Sequence, residues 1–270
     1  MPHRVQALAA AVLALWLEAG GASAAARVFS LDQCADQYVL ALAPRADIAG
    51  LSYRAADADS YLREEARGLP LRRASTESVL ASRATILVRY WGGDELMARR
   101  LAGRGLTVIK IDDARDFDGV RANIRRVAAG LGRRDEGEAL IGHMDAELQQ
   151  AKGAWRGERA LYLTPGGFTA GSDTLVDAMM SSAGLRNAAQ SPGFAPVSLE
   201  RIVADPPARF VLGFFDPASM QAQHWSIGRH RALRKLMASR TLAVLPATVL
   251  GCPAWFAADG ARDLAQAHRP

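Results

Sequence analysis

The sequence is poor in the residues that most chemistry needs. It holds two cysteines, Cys34 and Cys252, in 270 residues. Two are too few for a disulfide scaffold, and their separation excludes a CxxC metal or redox motif. It holds five histidines, His3, His143, His224, His230 and His268, too scattered to predict a metal centre. No HExxH, GxSxG or SxxK string occurs, and no GxGxxG or Gly-Lys-Ser/Thr loop. The cluster Asp112, Asp113, Asp116 and Asp118 lacks the EF-hand register and precedes a helix start, where carboxylates are expected anyway. The chain is therefore not read as an enzyme, and no cofactor is expected. Basic residues exceed acidic ones only mildly, 33 to 28. No basic run is interleaved with aromatics, which argues against nucleic acid.

What is present is a globular composition with a distinct beginning. His3 and Arg4 precede a run, Val5 to Leu17, that is apolar except for Gln6. Ala22-Ser23-Ala24 then offers a small-x-small cleavage site, with Ala24-Ala25-Ala26 as a second. The run is too short to span a bilayer, and residues 1–26 read as a cleaved export signal. The expected compartment is a bacterial periplasm. No Cys directly follows the signal, which argues against a lipid anchor.

After it, short β-branched or apolar stretches alternate with helical ones. Strands are predicted at 27–31, 47–51, 85–88, 106–111, 159–163, 209–213 and 242–245. Helices are predicted at 33–43 (capped by Asp32), 57–67, 76–82, 94–103, 117–130, 134–151, 173–182, 199–204, 231–239 and 259–267. Residues 164–171 read as a glycine-rich loop. Strand–helix alternation predicts parallel sheets covered by helices. Glu77-Ser78-Val79-Leu80-Ala81-Ser82 just before one strand is echoed by Glu200-Arg201-Ile202-Val203-Ala204-Asp205 before another. The echo suggests two similar halves on either side of a long helix.

Several stretches together resemble the class III periplasmic binding proteins of ABC importers, the receptors for ferric siderophores, haem and cobalamin. They are RVFSLDQCADQYVLAL, ESVLASRATILV, GLTVIKID, TAGSDTLVDAMMSSAGLRNAA, LERIVADPPARFVL and LMASRTLAVLP. The family's Pro-Asp before two central strands is Ala84-Thr85 and Ala208-Arg209 here. The resemblance implies two Rossmann-like α/β lobes, residues 27–133 and 153–270, joined by one long helix, 134–152, with the ligand in the cleft between them. It implies that Glu77 and Glu200 dock on the two halves of a membrane permease dimer, and that the receptor acts as a monomer.

The expected ligand is a ferric siderophore, with a corrinoid such as cobalamin as the alternative. Loops after strands supply the cleft. These nominate Tyr53, Arg54, Arg89, Tyr90 and Trp91 from the first lobe, and Phe168, Phe215 and Trp225 from the second. Aromatics give flat apolar walls, and arginines pair with the anionic part of a chelate. In an oxidising compartment Cys34 and Cys252 are expected to pair and staple the two lobes. Unpaired thiols and soft-metal ligation remain the alternatives.

Overall fold

The computed structural model describes residues 26–92, 94–189, 191–215 and 230–268. Most of the expected export signal and the candidate Trp225 fall outside these residues.

The first half forms a five-stranded parallel sheet in the order β3-β2-β1-β4-β5. Its strands are β1 (Val28–Ser30), β2 (Ile48–Ser52), β3 (Leu71–Arg72), β4 (Ile86–Tyr90) and β5 (Thr107–Ile111). Helices α1 (Gln33–Leu42), α2 (Thr76–Ala81), α3 (Glu95–Ala102) and α4 (Phe117–Gly130) accompany them. After the long α5 (Arg134–Ala151), the second half repeats the scheme. Strands β6 (Arg159–Leu163), β8 (Arg186–Asn187), β10 (Arg209–Gly213) and β11 (Thr241–Leu245) form a parallel sheet in the order β11-β10-β6-β8. Its helices are α6 (Leu175–Ser182), α7 (Leu199–Ala204), α8 (Arg231–Arg240), α9 (Ala247–Leu250) and α10 (Ala257–Gln266). A two-stranded antiparallel ribbon, β7 (Phe168–Ala170) with β9 (Phe194–Pro196), leaves the second sheet after β6.

The inner strands are apolar on both faces because helices cover both. Val28 and Val88 face one core while Phe29 and Leu87 face another. In the second half Tyr162 and Val211 face the first of these cores, and Leu161, Phe210 and Leu212 face a third. The core shared by the two halves runs from Val28 and Tyr38 to Met179, Val211 and Trp255.

Helix α5 packs against α4 of the first half and α10 of the second. Gly137 makes this approach close: a Cβ there would fall 2.5 Å from Ala128 Cβ. Ion pairs flank the seams, Arg121–Asp145 and Arg125–Glu138 toward α4, and Arg262–Glu147 toward α10. A second connection accompanies it. Cys34 and Cys252 form a disulfide, Tyr38 donates to the Pro253 carbonyl at 2.8 Å, and Tyr61 stacks on Phe256 at 4.3 Å. The segment leading into α10 is thus fastened to α1 and its neighbours.

Four local expectations are corrected. Residues 57–67 form successive turns, because Gln37 of α1 captures their groups: its amide donates to Ser60 Oγ and its carbonyl accepts from Leu62 N. Arg89 and Tyr90 belong to strand β4, paired with Lys110 and Ile111, and do not open the following loop. The glycine-rich stretch contains β7. Gly171 is needed there, since a Cβ would lie 1.7 Å from the Ser191 carbonyl oxygen. The two-residue strands β3 and β8, the strand β9 and the one-turn α9 were not expected.

Candidate functional site

In parallel α/β sheets the loops that bind ligands follow the carboxyl ends of the strands. In the first sheet these ends carry Tyr53 (after β2), Cys34 (after β1), Tyr90 and Trp91 (β4), and Asp113 and Arg115 (after β5). In the second they carry the ribbon (after β6), Phe214 and Phe215 (after β10), and Leu250 and Cys252 (after β11). The two edges meet at a cavity of about 190 Å³. Tyr90, Asp113 and Arg115 line it from one half, and Phe194, Leu250 and Cys252 from the other.

Among the described residues, the exposed aromatics are Tyr53, Trp91, Phe168 and Phe194. All four stand on these edge loops or on the ribbon. Phe168 opposes Pro196 and Ala170 opposes Phe194, so both phenylalanines share one ribbon face. The other ribbon face, Thr169 and Ala195, closes a separate cavity of about 110 Å³ against α7, away from the cleft.

The nominated residues differ in what they are free to do. Tyr53 is 58% exposed, and its hydroxyl makes no hydrogen bond among the described residues. Arg54 is exposed and paired with Asp57 and Asp59. Arg89 is buried, contrary to its expected place at the cleft. It donates to Glu95 at 2.7 and 2.9 Å and to the Trp91 carbonyl at 3.0 Å, so its charge is committed to holding the Trp91 loop. Tyr90 donates to Asp113 at 2.6 Å and lies edge-on to Trp91. Burial, and then the Asp113 carboxylate, push its phenol up. Phe215 is half-buried against the third core.

Of the described residues nominated for the ligand, only Tyr90 lines this cavity; Asp113, Arg115, Phe194 and Leu250 line it without having been nominated. Phe194 lies in a short stretch after Ser191-Pro192-Gly193 with no periodicity to mark it. Arg115 sits within the acidic cluster, which masks a lone cation.

Glu77 and Glu200 occupy matching places. Each is the second residue of a six-residue helix capped by a serine, Ser75 for α2 and Ser198 for α7. Both are exposed. A hydrogen bond from its own backbone amide, and then one from the capping serine, hold each carboxyl below the usual range. α2 precedes β4 as α7 precedes β10, and β4 and β10 occupy corresponding positions in the two sheets.

Beneath Tyr53 lies a buried carboxylate, Asp36. Burial pushes it up from 3.8 to about 7, against hydrogen bonds from Ser30 and Ser52 that pull it down. The unfolded chain releases this proton in the ordinary carboxylate range, so at intermediate pH the folded protein binds more protons. The stability this group contributes is present in acid and is lost as pH rises toward about 7. Wild type should therefore lose about 2–4 kcal/mol between roughly pH 4.5 and pH 8 relative to Asp36→Asn. Denaturant titrations of both proteins check this, and parallel pH profiles would contradict it.

Among the described residues no three His, Cys, Asp or Glu side chains are grouped to hold a metal ion. No described helix is long and apolar enough to cross a membrane. Two half-repeated parallel sheets meeting at their carboxyl edges, with helix α5 between them, define a two-lobed α/β fold. Residues 54–249 match the family model described as periplasmic binding protein, and the chain belongs to that family. Its members bind small ligands and work with ABC transporter permeases.

Solved structures agree in fold. The periplasmic haem-binding protein RhuT from Roseiflexus sp. RS-1 superposes with a TM-score of 0.68 at 22% identity, covering 90% of this chain and 98% of its own. A periplasmic haem-binding protein from Pseudomonas aeruginosa gives 0.66 at 24% identity, covering 90% and 92%. The vitamin B12-binding protein BtuF of Vibrio cholerae gives 0.65 at 16% identity, covering 90% and 96%. A search of curated proteins found no match.

Proposed function

We propose that this chain is the exported receptor of an ABC importer for a planar iron tetrapyrrole of the haem class. In this reading residues 1–26 are removed on export. Residues 27–133 and 153–270 act as lobes on either side of the 134–152 helix, and the ligand lies between the carboxyl edges. Glu77 and Glu200 meet the permease dimer, one from each lobe, and the receptor itself is a monomer.

One observation carries the choice of ligand: the exposed aromatics are gathered on the two edges, and one of them, Tyr53, offers a disengaged phenol. Flat aromatic walls suit a flat conjugated ligand. A ferric tetrapyrrole leaves axial positions open to a phenol oxygen. A hexadentate siderophore already fills its iron with oxygen donors and leaves no coordination position for the Tyr53 oxygen. The siderophore reading draws on the charges of Arg54 and Arg89, which are engaged by Asp57 and Asp59 and by Glu95. Arg115, in the cavity, remains for a ligand carboxylate, and a corrin bearing amides makes less use of it.

The test is an absorbance and fluorescence titration of the purified protein with haemin, cyanocobalamin and ferrioxamine. Haemin should bind saturably with a new visible band. Tyr53→Phe should alter that band and weaken binding about tenfold or more, on the scale of a lost metal ligand contact. Saturable binding of ferrioxamine or cyanocobalamin, with none of haemin, overturns the assignment.

A further inference from the structure

Tyr53 and Trp91 stand on loops, and their value as ligand contacts depends on those loops keeping their places. The start of α1 provides the restraint through two acidic side chains. Asp32 caps the helix in the ordinary way, Oδ1 accepting from Ala35 N at 2.9 Å. Its other oxygen accepts from Tyr90 N, at the end of β4, at 2.8 Å. Asp36, fully buried, contributes nothing to the cap. Its Oδ1 accepts from Ser52 N at 2.9 Å and from the Ser30 hydroxyl. Its Oδ2 accepts from Ser52 Oγ at 2.5 Å. Ser52 Oγ in turn accepts from Arg54 N at 3.2 Å, closing the tight turn Tyr53–Ala56 over the end of β2.

Two carboxylates of one helix thus clasp the last residues of three adjacent strands, β2, β1 and β4. A helix needs no second buried acid for its own stability, and burying one is costly. Every bond Asp36 makes goes to strand ends, and the one on β2 carries the turn from which Tyr53 projects. We propose that Asp36 is a positioning residue for ligand capture: through Ser52 it fixes the Tyr53 turn so that the phenol meets the ligand in one geometry. Asp32 does the same for Tyr90 and the Trp91 loop, which Arg89 secures from the other side. This rests on the assignment of Tyr53 to the ligand site.

The experiment uses the full chain with Asp36→Ala, Asp36→Asn and Ser52→Ala. Haemin affinity, the visible spectrum of the bound iron, amide exchange at Ser52 and Arg54, and thermal melting are read for each. Asp36→Ala should weaken haemin about tenfold or more, the scale on which outer partners tune a metal's ligands. Its bound spectrum should move toward that of Tyr53→Phe. Ser52→Ala should shift both in the same direction by less. Asp36→Asn keeps an acceptor for Ser52 N and a donor for its hydroxyl, and should restore both. In ligand-free protein the Ser52 and Arg54 amides should exchange faster in Asp36→Ala than in wild type. Lowered melting with unchanged affinity and spectrum overturns the positioning role. If wild-type protein binds no haemin, the ligand assignment fails on that ground alone. The exchange rates still decide the clamp, and unchanged exchange refutes it.

Discussion

Replacing Cys34 and Cys252 together by serine should lower the unfolding free energy by about 3–5 kcal/mol. The bond closes a loop of 218 residues, nearly the whole described chain. In the chain-entropy model a loop of that order restrains the unfolded chain by about 5 kcal/mol, and engineered comparisons fall short of the model value. The folded protein should survive the change, because the same segment keeps the Tyr38–Pro253 hydrogen bond and the Tyr61–Phe256 stack. Chemical denaturation of wild type and double mutant gives the answer directly. A difference under about 1 kcal/mol would mean that the link constrains little. Cys252 also lines the cleft cavity, so the staple sits where the halves meet. With α5 it makes two ties between the halves, where the family resemblance implied one.

The second large effect concerns transport. Reversing both charges, Glu77→Arg with Glu200→Arg, should leave haemin affinity unchanged while reducing permease-dependent uptake into vesicles about 100-fold. The family resemblance implies permease arginines opposite these glutamates, so the reversal would place like charges across the contact, at a cost of several kcal/mol. The separation of the two readouts follows from position. Both side chains project from the N-terminal turns of short surface helices, and neither lines the cleft cavity. Each single reversal should produce a smaller loss. Undiminished uptake by the double variant would remove these glutamates from the docking surface.

The legibility of this chain varied with the physics of each segment. Helices α4, α5 and α7 and strands β6 and β10 start and stop where the residues predict. α4 and α5 carry long apolar stripes, and glycines or an acidic first turn mark their limits. The serine-capped Glu77 and Glu200 helices were legible because the same short pattern precedes a strand in both halves. The ribbon was not, because strands of three residues leave no usable alternation and the flanking glycines read as turns. Residues 57–67 misled for a different reason: their helix-compatible sequence is overruled by the distant Gln37 side chain.

At the site, residue type was easier to read than side-chain direction. Tyr53, Trp91 and Phe168 are exposed, on edge loops or on the ribbon. Arg89 is equally arginine in sequence, but strand alternation carries it inward to Glu95, a partner six residues away across a loop. Asp36 reads as an ordinary helix residue, since the two serines it binds are brought to it only by the parallel pairing of β1 with β2.

The most direct test of the whole account is an iron anomalous map from crystals grown with haemin. A single strong peak should lie between the two carboxyl edges, within bonding reach of the Tyr53 hydroxyl and beside the Trp91 and Phe194 rings. A peak on the outer surface of either half, or in the cavity behind the ribbon, would contradict it.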